Sequence, residues 1–473
     1  ITIQWSTPTL STAVSDNTGN LTRFGYVFAG WNTTADGSGT SVAAGSSFPG
    51  SVSATLFAAW TPSNTGLTPS FNTNTNTPIG VLKSTAYTIN NEYTGTNNDL
   101  ILSQYPDKIQ IVASVPAGTL SITTTANLTL PIGYQTTLTT TASAISFIGN
   151  LADVNAALAS LKYTAPATAV ITTVTITASY AGLNGDYRYN PATGSYYWRG
   201  ATTVVRQAAL DRTTASNNCG VSFNGMCGYM TIPNNADESL YIVQKLGIGW
   251  IGLSKPTHPT LQYVANAPSG LPTPPFTFWS SGEGGLSNEP NIGIRFTDGK
   301  WADLTTQSEN PIYEFGGKSE TPIFAPLTRT IAIAPNVTVT YVANSSNSGT
   351  VPSPLTGIGG NTLRAASNTG NLVKTGLTFA GWNTKADGTG ITYLPNAEFT
   401  TATSISLFAM YLAACTPTRT TSGGFVILTF TGAGNCLWTT PAGVTSIDLL
   451  TVGGSGGGAG NLGGGGGGGQ VVY

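Results

Sequence analysis

Few residues in this chain are equipped for chemistry. Its 473 residues include one histidine, four cysteines, 18 Lys plus Arg and 20 Asp plus Glu. A Ser–His–Asp hydrolase would have to use His258, which lies in the proline-flanked stretch KPTHPT, a poor setting for an oriented base. The cysteines form two local pairs, Cys219 with Cys227 and Cys415 with Cys436. Neither pair has the CxxC spacing of a zinc site, and no histidine is near. Two local disulfides in an oxidising compartment are the better reading. The glycine run close to Tyr473 lacks the GK[ST] ending and following helix of a phosphate loop. A flexible loop or close-packed polyproline-II-like segments remain.

Composition narrows the classes further. Charged residues are 8% of the chain and the net charge is −2, against about 25% charged residues in an ordinary soluble domain. A nucleic-acid partner is excluded, because no cationic footprint is visible. No apolar run reaches the roughly 20 residues of a spanning helix, so no membrane insertion is expected. With 40% hydrophobic residues the chain is not disordered by composition. The length predicts several domains, and Thr-, Ser-, Gly- and Asn-rich sequence suits β-rich extracellular modules. Ile1 begins inside strand-like sequence, with no signal peptide or terminal anchor in view.

One internal repeat is clear. GYVFAGWNTTADGSGT at 25–40 recurs as GLTFAGWNTKADGTGI at 376–391, and NTGNL at 17–21 recurs at 368–372. Phe28 and Phe379 start a strand. Trp31 and Trp382 are the large apolar groups of a small core, and Asn-Thr-x-Ala-Asp-Gly-x-Gly is a turn. The unit resembles the Listeria–Bacteroides repeat, the internalin B-repeat, which implies a β-grasp-like spacer on a bacterial surface. The second copy (337–413) opens with VTVTYVA. The first (1–62) has no counterpart, so its opening strand is expected to be missing or replaced, which leaves an edge to which another chain can add a strand.

Residues 63–106 read as a linker running into the first strands. Residues 107–182 alternate as strands do (KIQIVASV, GTLSITTT, AVITTVTITASY), with a helix in NLADVNAALASLKY whose Leu151, Val154, Leu158 and Leu161 share a face. This pattern resembles the cadherin-like sandwiches of large bacterial adhesins.

Residues 183–318 differ. Helices are expected at Ala201–Arg212 and Ala236–Leu246, the second capped by Asn234 or Asn235 with Asp237 and Glu238 in its first turn. GYMTI, ADES, WIGL, IGIRF, DGKWAD and YEFGG follow in order, and the segment resembles a C-type lectin-like domain. That resemblance implies a Ca²⁺ site fed by a loop and a WND-like motif. Aligned on IGIRF and KWAD, Glu283, Glu289 and Asp303 match ligand positions, while Gly285 and Ala302 replace the two amides. Water or backbone oxygens would complete the shell. Reading Glu289-Pro290-Asn291 itself as the loop leaves little room before IGIRF. The other implication is a protein-binding scaffold with a silent metal site. Trp279 is an aromatic that would stack on a sugar face, whereas Trp250 and Trp301 read as core. The same three carboxylates would serve a retaining glycosidase only as a pair about 5–5.5 Å apart, and the lectin-like context favours metal or nothing.

Residues 319–336 read as a second linker. Residues 414–473 resemble glycine-rich domains at the ends of bacterial surface proteins and read as truncated. The expectation is a mainly β, multidomain chain with small β-grasp-like repeats, a β-sandwich, one α+β C-type lectin-like domain and a glycine-rich β end. It is non-enzymatic, extracellular or on the bacterial surface, and binds a glycan or surface protein as an adhesin. Alternatively it is a structural subunit that self-assembles into extracellular filaments.

Overall fold

A computed structural model gives the fold. It describes residues 11–472 except 36, 50–53, 66, 72–78, 83, 90–99, 101, 131–137, 139, 169, 258–259, 265–266, 272–274, 286–288, 306, 318–319, 433 and 453–470. His258 and the glycine run therefore lie outside the described residues. The chain is mainly β and divides into two compact units, 1–336 with 358–360 and 337–357 with 361–473.

In the first unit the first repeat forms a three-stranded sheet in the order Ser41–Val42, Tyr26–Asn32, Phe57–Pro62. The AGWN glycine has a geometric reason. Gly30 holds φ +116° at the bulge facing Ala59, and a Cβ there would stand 2.7 Å from the Val42 carbonyl, closer than an ordinary side chain tolerates. Asn32 organises the following turn by donating to the carbonyls of Gly37 and Gly39 and accepting from the Thr34 N–H.

The sandwich follows. Lys108–Ser114 lies antiparallel between Ala144–Asn150 and Thr172–Gly182. A second sheet runs Thr141–Ala142, Thr119–Ser121, Lys162–Thr164, Ala86–Thr88. Alternate residues Ile109, Ile111 and Ala113 are fully buried with Val174, Ile176 and Ala178, as period-2 patterning requires. The helix Leu151–Ala159 is capped by the Asn150 side chain on the Asp153 N–H and buries Val154, Ala157 and Leu158. Residues 327–336 correct the linker expectation for 319–336. They begin the strand Leu327–Val342, and Leu327–Ile333 pair antiparallel with Thr172–Ala178. Their alternation of Ile331 and Ile333 with polar neighbours is a strand pattern that closes the sheet.

Within 183–318, Ser195–Arg199 pairs with Ile312–Phe315, flanked by Arg188–Asn190 and Tyr229–Met230. A second sheet runs Thr260–Tyr263, Gly249–Thr257, Asn291–Ile294, Trp301–Leu304. The helix Ala236–Leu246 has the expected bounds, with Asn235 as cap. The first helix is corrected. Val204–Val205 are strand, paired with Ser308–Glu309, and the helix runs Arg206–Asn218. The β-branched TTVV stretch favours a strand over a helical turn.

In the second unit the second repeat pairs Val339–Val342 in parallel with Ile405–Phe408. Tyr341 from that opening strand packs on Trp382 at 4.6 Å between ring centroids, and Trp382 is 0% exposed. Trp31 makes the same indole N–H bond to a backbone carbonyl as Trp382, to Ser15 and Ala366 respectively. It is only half-buried. Among the described residues of the first repeat, no strand stands where Tyr341 does.

Candidate functional site

Residues 183–318 contribute to two cores. Ile242, Val243, Leu246, Ile251, Leu253, Ile292, Ile294 and Trp301 form the one beneath the candidate loop. Phe276, Phe278 and Trp279 pack against it, and the described loop residues are 275–285 and 289–290. Trp301 and Phe278 bond through their backbones, as do Ser280 and Trp301, so the start of the loop is laid along the strand that carries Asp303.

The three candidate ligands are brought into one neighbourhood. Asp303 is 2% exposed, Glu283 and Glu289 partly exposed. The Glu283 carboxyl is pushed above its ordinary range, first by burial, then by a hydrogen bond to Asp303, then by the negative charge of Asp303 and Glu289. Asp303 is pushed up by burial. The Lys255 hydrogen bond, the Gly284 N–H and the Lys255 charge pull it further the other way, so its carboxyl stays below the usual range.

Lys255 is the residue that sequence reasoning missed. Its ammonium donates to Asp303 Oδ2, and both side chains are buried. The same ammonium donates to the Gly284 carbonyl at 3.2 Å, and the Gly284 N–H donates to Asp303 Oδ1 at 2.9 Å. A signal was available. Lys255 is a lone charge at the end of the buried strand GWIGLSKPT, in a chain with few charges, and such a charge requires a partner.

Calcium takes six to eight oxygens. Here both Asp303 oxygens are engaged by donors, and the Gly284 carbonyl faces the ammonium. Among the described residues no group of three or more His, Cys, Asp or Glu is placed to hold a metal ion. As arranged, Glu283, Glu289 and Asp303 do not fit Ca²⁺.

A second cluster was also missed. Glu238 and Glu314 are both buried. Glu238 accepts from the Tyr197 hydroxyl at 2.6 Å and from the Asn234 N–H at 2.8 Å, while its own N–H donates to Asn235. Asn235 thus caps the helix start through the Glu238 N–H, and the Glu238 carboxylate reaches back to the residue before the cap. Glu314 accepts from Thr231 Oγ1 at 3.1 Å. Burial, and then the Glu238 charge, pushes the Glu314 carboxyl up to about 7. The pair is enclosed in the core and serves structure.

Both disulfides are formed. Cys219–Cys227 staples the short hairpin of Ser222–Phe223 and Met226–Cys227, and Cys415–Cys436 spans 21 residues. Trp250 and Trp301 are fully buried, while Trp279 is half-buried, edge-on to Trp301 at 6.0 Å.

No curated protein matches this sequence. Among solved structures, the chain is similar to the C-type lectin CEL-I from Cucumaria echinata, at 17% identity over 28% of this chain and 95% of that one, TM-score 0.22. It is similar to a calcium-independent type II antifreeze protein at 16% identity, over 27% and 90%, TM-score 0.22. A third is the C-type lectin domain of murine dendritic cell inhibitory receptor 2 in complex with N-glycan, at 16% identity over 27% and 94%, TM-score 0.22. Residues 6–59 and 338–410 both match the Listeria-Bacteroides repeat domain, so the chain carries two copies of that domain.

Proposed function

We propose that this is a non-enzymatic surface or secreted protein of the adhesin kind. In this reading residues 183–318 present a ligand-binding loop, and the repeats and the cadherin-like sandwich form its stalk. One observation carries it. The loop is pinned at Gly284 by the buried Lys255–Asp303 pair and at Pro290 by the Lys255 backbone, and Glu283 and Glu289 beside these points are partly exposed. Acceptor groups on a pre-ordered loop are what a recognition surface needs. Carboxylates beside half-buried Trp279 favour a glycan, with hydroxyls donating to the acids and an apolar face against the ring. Two surface-type repeats and two disulfides support an extracellular setting.

Screening the full chain against a glycan array tests the reading, beside a Glu283→Gln/Glu289→Gln variant. Saturable binding that the variant loses by tenfold or more supports it. Binding that the variant retains in full places the surface elsewhere.

A second reading has its own observation. In the second unit Phe425, Val426 and Ile427 of the hairpin Thr418–Ser422/Phe425–Thr429 are exposed, as are Ile447, Leu449 and Leu450. Exposed apolar surface of this extent marks an association site and suits a filament subunit. Concentration-dependent sedimentation and regular fibres in negative stain would favour it. A monomer at all concentrations would count against it.

A further inference from the structure

Lys255 lies on a strand whose neighbours Leu253, Ile251 and Trp250 are all 0% exposed. An ammonium buried there is costly unless paired with good geometry and further acceptors. It has both: its ion-pair partner Asp303 lies on the strand Trp301–Leu304, and its further acceptor is on the loop. Lys255 grips the Gly284 carbonyl and Asp303 the Gly284 N–H, so the two ends of the ion pair hold both sides of one residue. The Lys255 backbone N–H donates to the Pro290 carbonyl at 2.9 Å, fixing the other shoulder of the loop. The Trp279 ring lies 5.9 Å from the ammonium. Gly284 itself holds φ +83°, and a Cβ there would stand 2.7 Å from that ring, so the backbone must come this close to be gripped.

We propose that the Lys255 ammonium is the built-in cation of this loop. It pairs with Asp303 and ties down Gly284, while its own backbone holds Pro290, so the described parts of the loop, 279–285 and 289–291, need no metal ion to hold their shape. This stands whatever ligand the loop takes. It also makes an unusual prediction, since removing the ammonium exposes a set of oxygens for which a divalent cation can substitute.

The test is hydrogen exchange of residues 279–291 in the full chain, in EDTA and in millimolar CaCl₂. The wild type is expected to exchange equally in both. Lys255→Met keeps the packing stem and removes the charge. Its loop is expected to exchange about tenfold faster in EDTA and to recover with Ca²⁺. Asp303→Asn is expected to loosen the loop without recovery, because the ammonium remains. A wild-type loop slowed by Ca²⁺, a Lys255→Met loop unchanged in EDTA or unresponsive to Ca²⁺, or an Asp303→Asn loop restored by Ca²⁺ would each overturn the proposal. If Lys255→Met does not fold, the wild-type and Asp303→Asn arms still decide.

Discussion

The buried Glu238–Glu314 pair makes residues 183–318 less stable as pH rises toward neutrality. Burial first, and the Glu238 charge second, push the Glu314 carboxyl from 4.5 up to about 7. In the unfolded chain the same carboxyl returns to the ordinary range. Between these values the folded protein binds more protons than the unfolded one, so stability falls with increasing pH. The contribution is complete below the unfolded pKa and is lost as pH rises through about 7. At about 1.4 kcal/mol per unit the loss is on the order of 3 kcal/mol. Glu314→Gln mimics the protonated form and should flatten this dependence. The assay is urea unfolding between pH 5 and 8, read by exchange of the Ile312–Phe315 amides. Asp303, whose carboxyl is held low, contributes a stability lost only below this window, so it does not mask the slope. A wild-type midpoint that rises from pH 5 to 8, or an identical slope in Glu314→Gln, would refute the reasoning.

Three further outcomes are expected. Trp382→Ala should destabilise the second repeat by about 3–5 kcal/mol, the range for truncating a large buried aromatic, and Trp31→Ala should cost the first repeat less than half of that. Exchange at Thr378–Asn383 and Tyr26–Asn32 compares the two. Reducing Cys415–Cys436 frees a 21-residue loop and should weaken its surroundings by about 3 kcal/mol in the chain-entropy account. The check is exchange near Cys415 and Leu437, whose backbones are bonded, with and without reductant. Asp107→Asn removes the partner of Arg23 and weakens the acceptor of the Tyr26 and Tyr180 hydroxyls. It should loosen the first repeat by about 1–3 kcal/mol, seen as faster proteolysis around Arg23.

Much of the fold could be read from pattern because the pattern is local. Ala236–Leu246 announces itself by Asn235 before Asp237 and Glu238, and by Ile242, Val243 and Leu246 on its buried face. The repeat is equally plain, since Gly30 and Gly381 occupy backbone conformations that favour glycine, and Asn32 and Asn383 make matching turn bonds. The start of the helix after Val205 is not legible in the sequence, because Arg206–Asn218 has hardly any apolar periodicity. Tertiary pairing of Val204 with Glu309 decides where it begins. Residues 327–336 resemble a linker in sequence, because a strand flanked by Pro and Thr shows itself only once its partner 172–178 is known. At the site, Glu283, Glu289 and Asp303 come from the resemblance to C-type lectin-like domains, aligned on IGIRF and KWAD. Lys255 lies 48 residues before Asp303, and only folding shows that the charge and the acid share one buried spot.

Hydrogen exchange of the full chain with and without a ligand captured from the glycan screen tests the central claim most directly. The account predicts new protection concentrated in 276–291, with residues 418–450 unchanged. Protection confined to 418–450 and growing with protein concentration would contradict it and point to an assembly subunit.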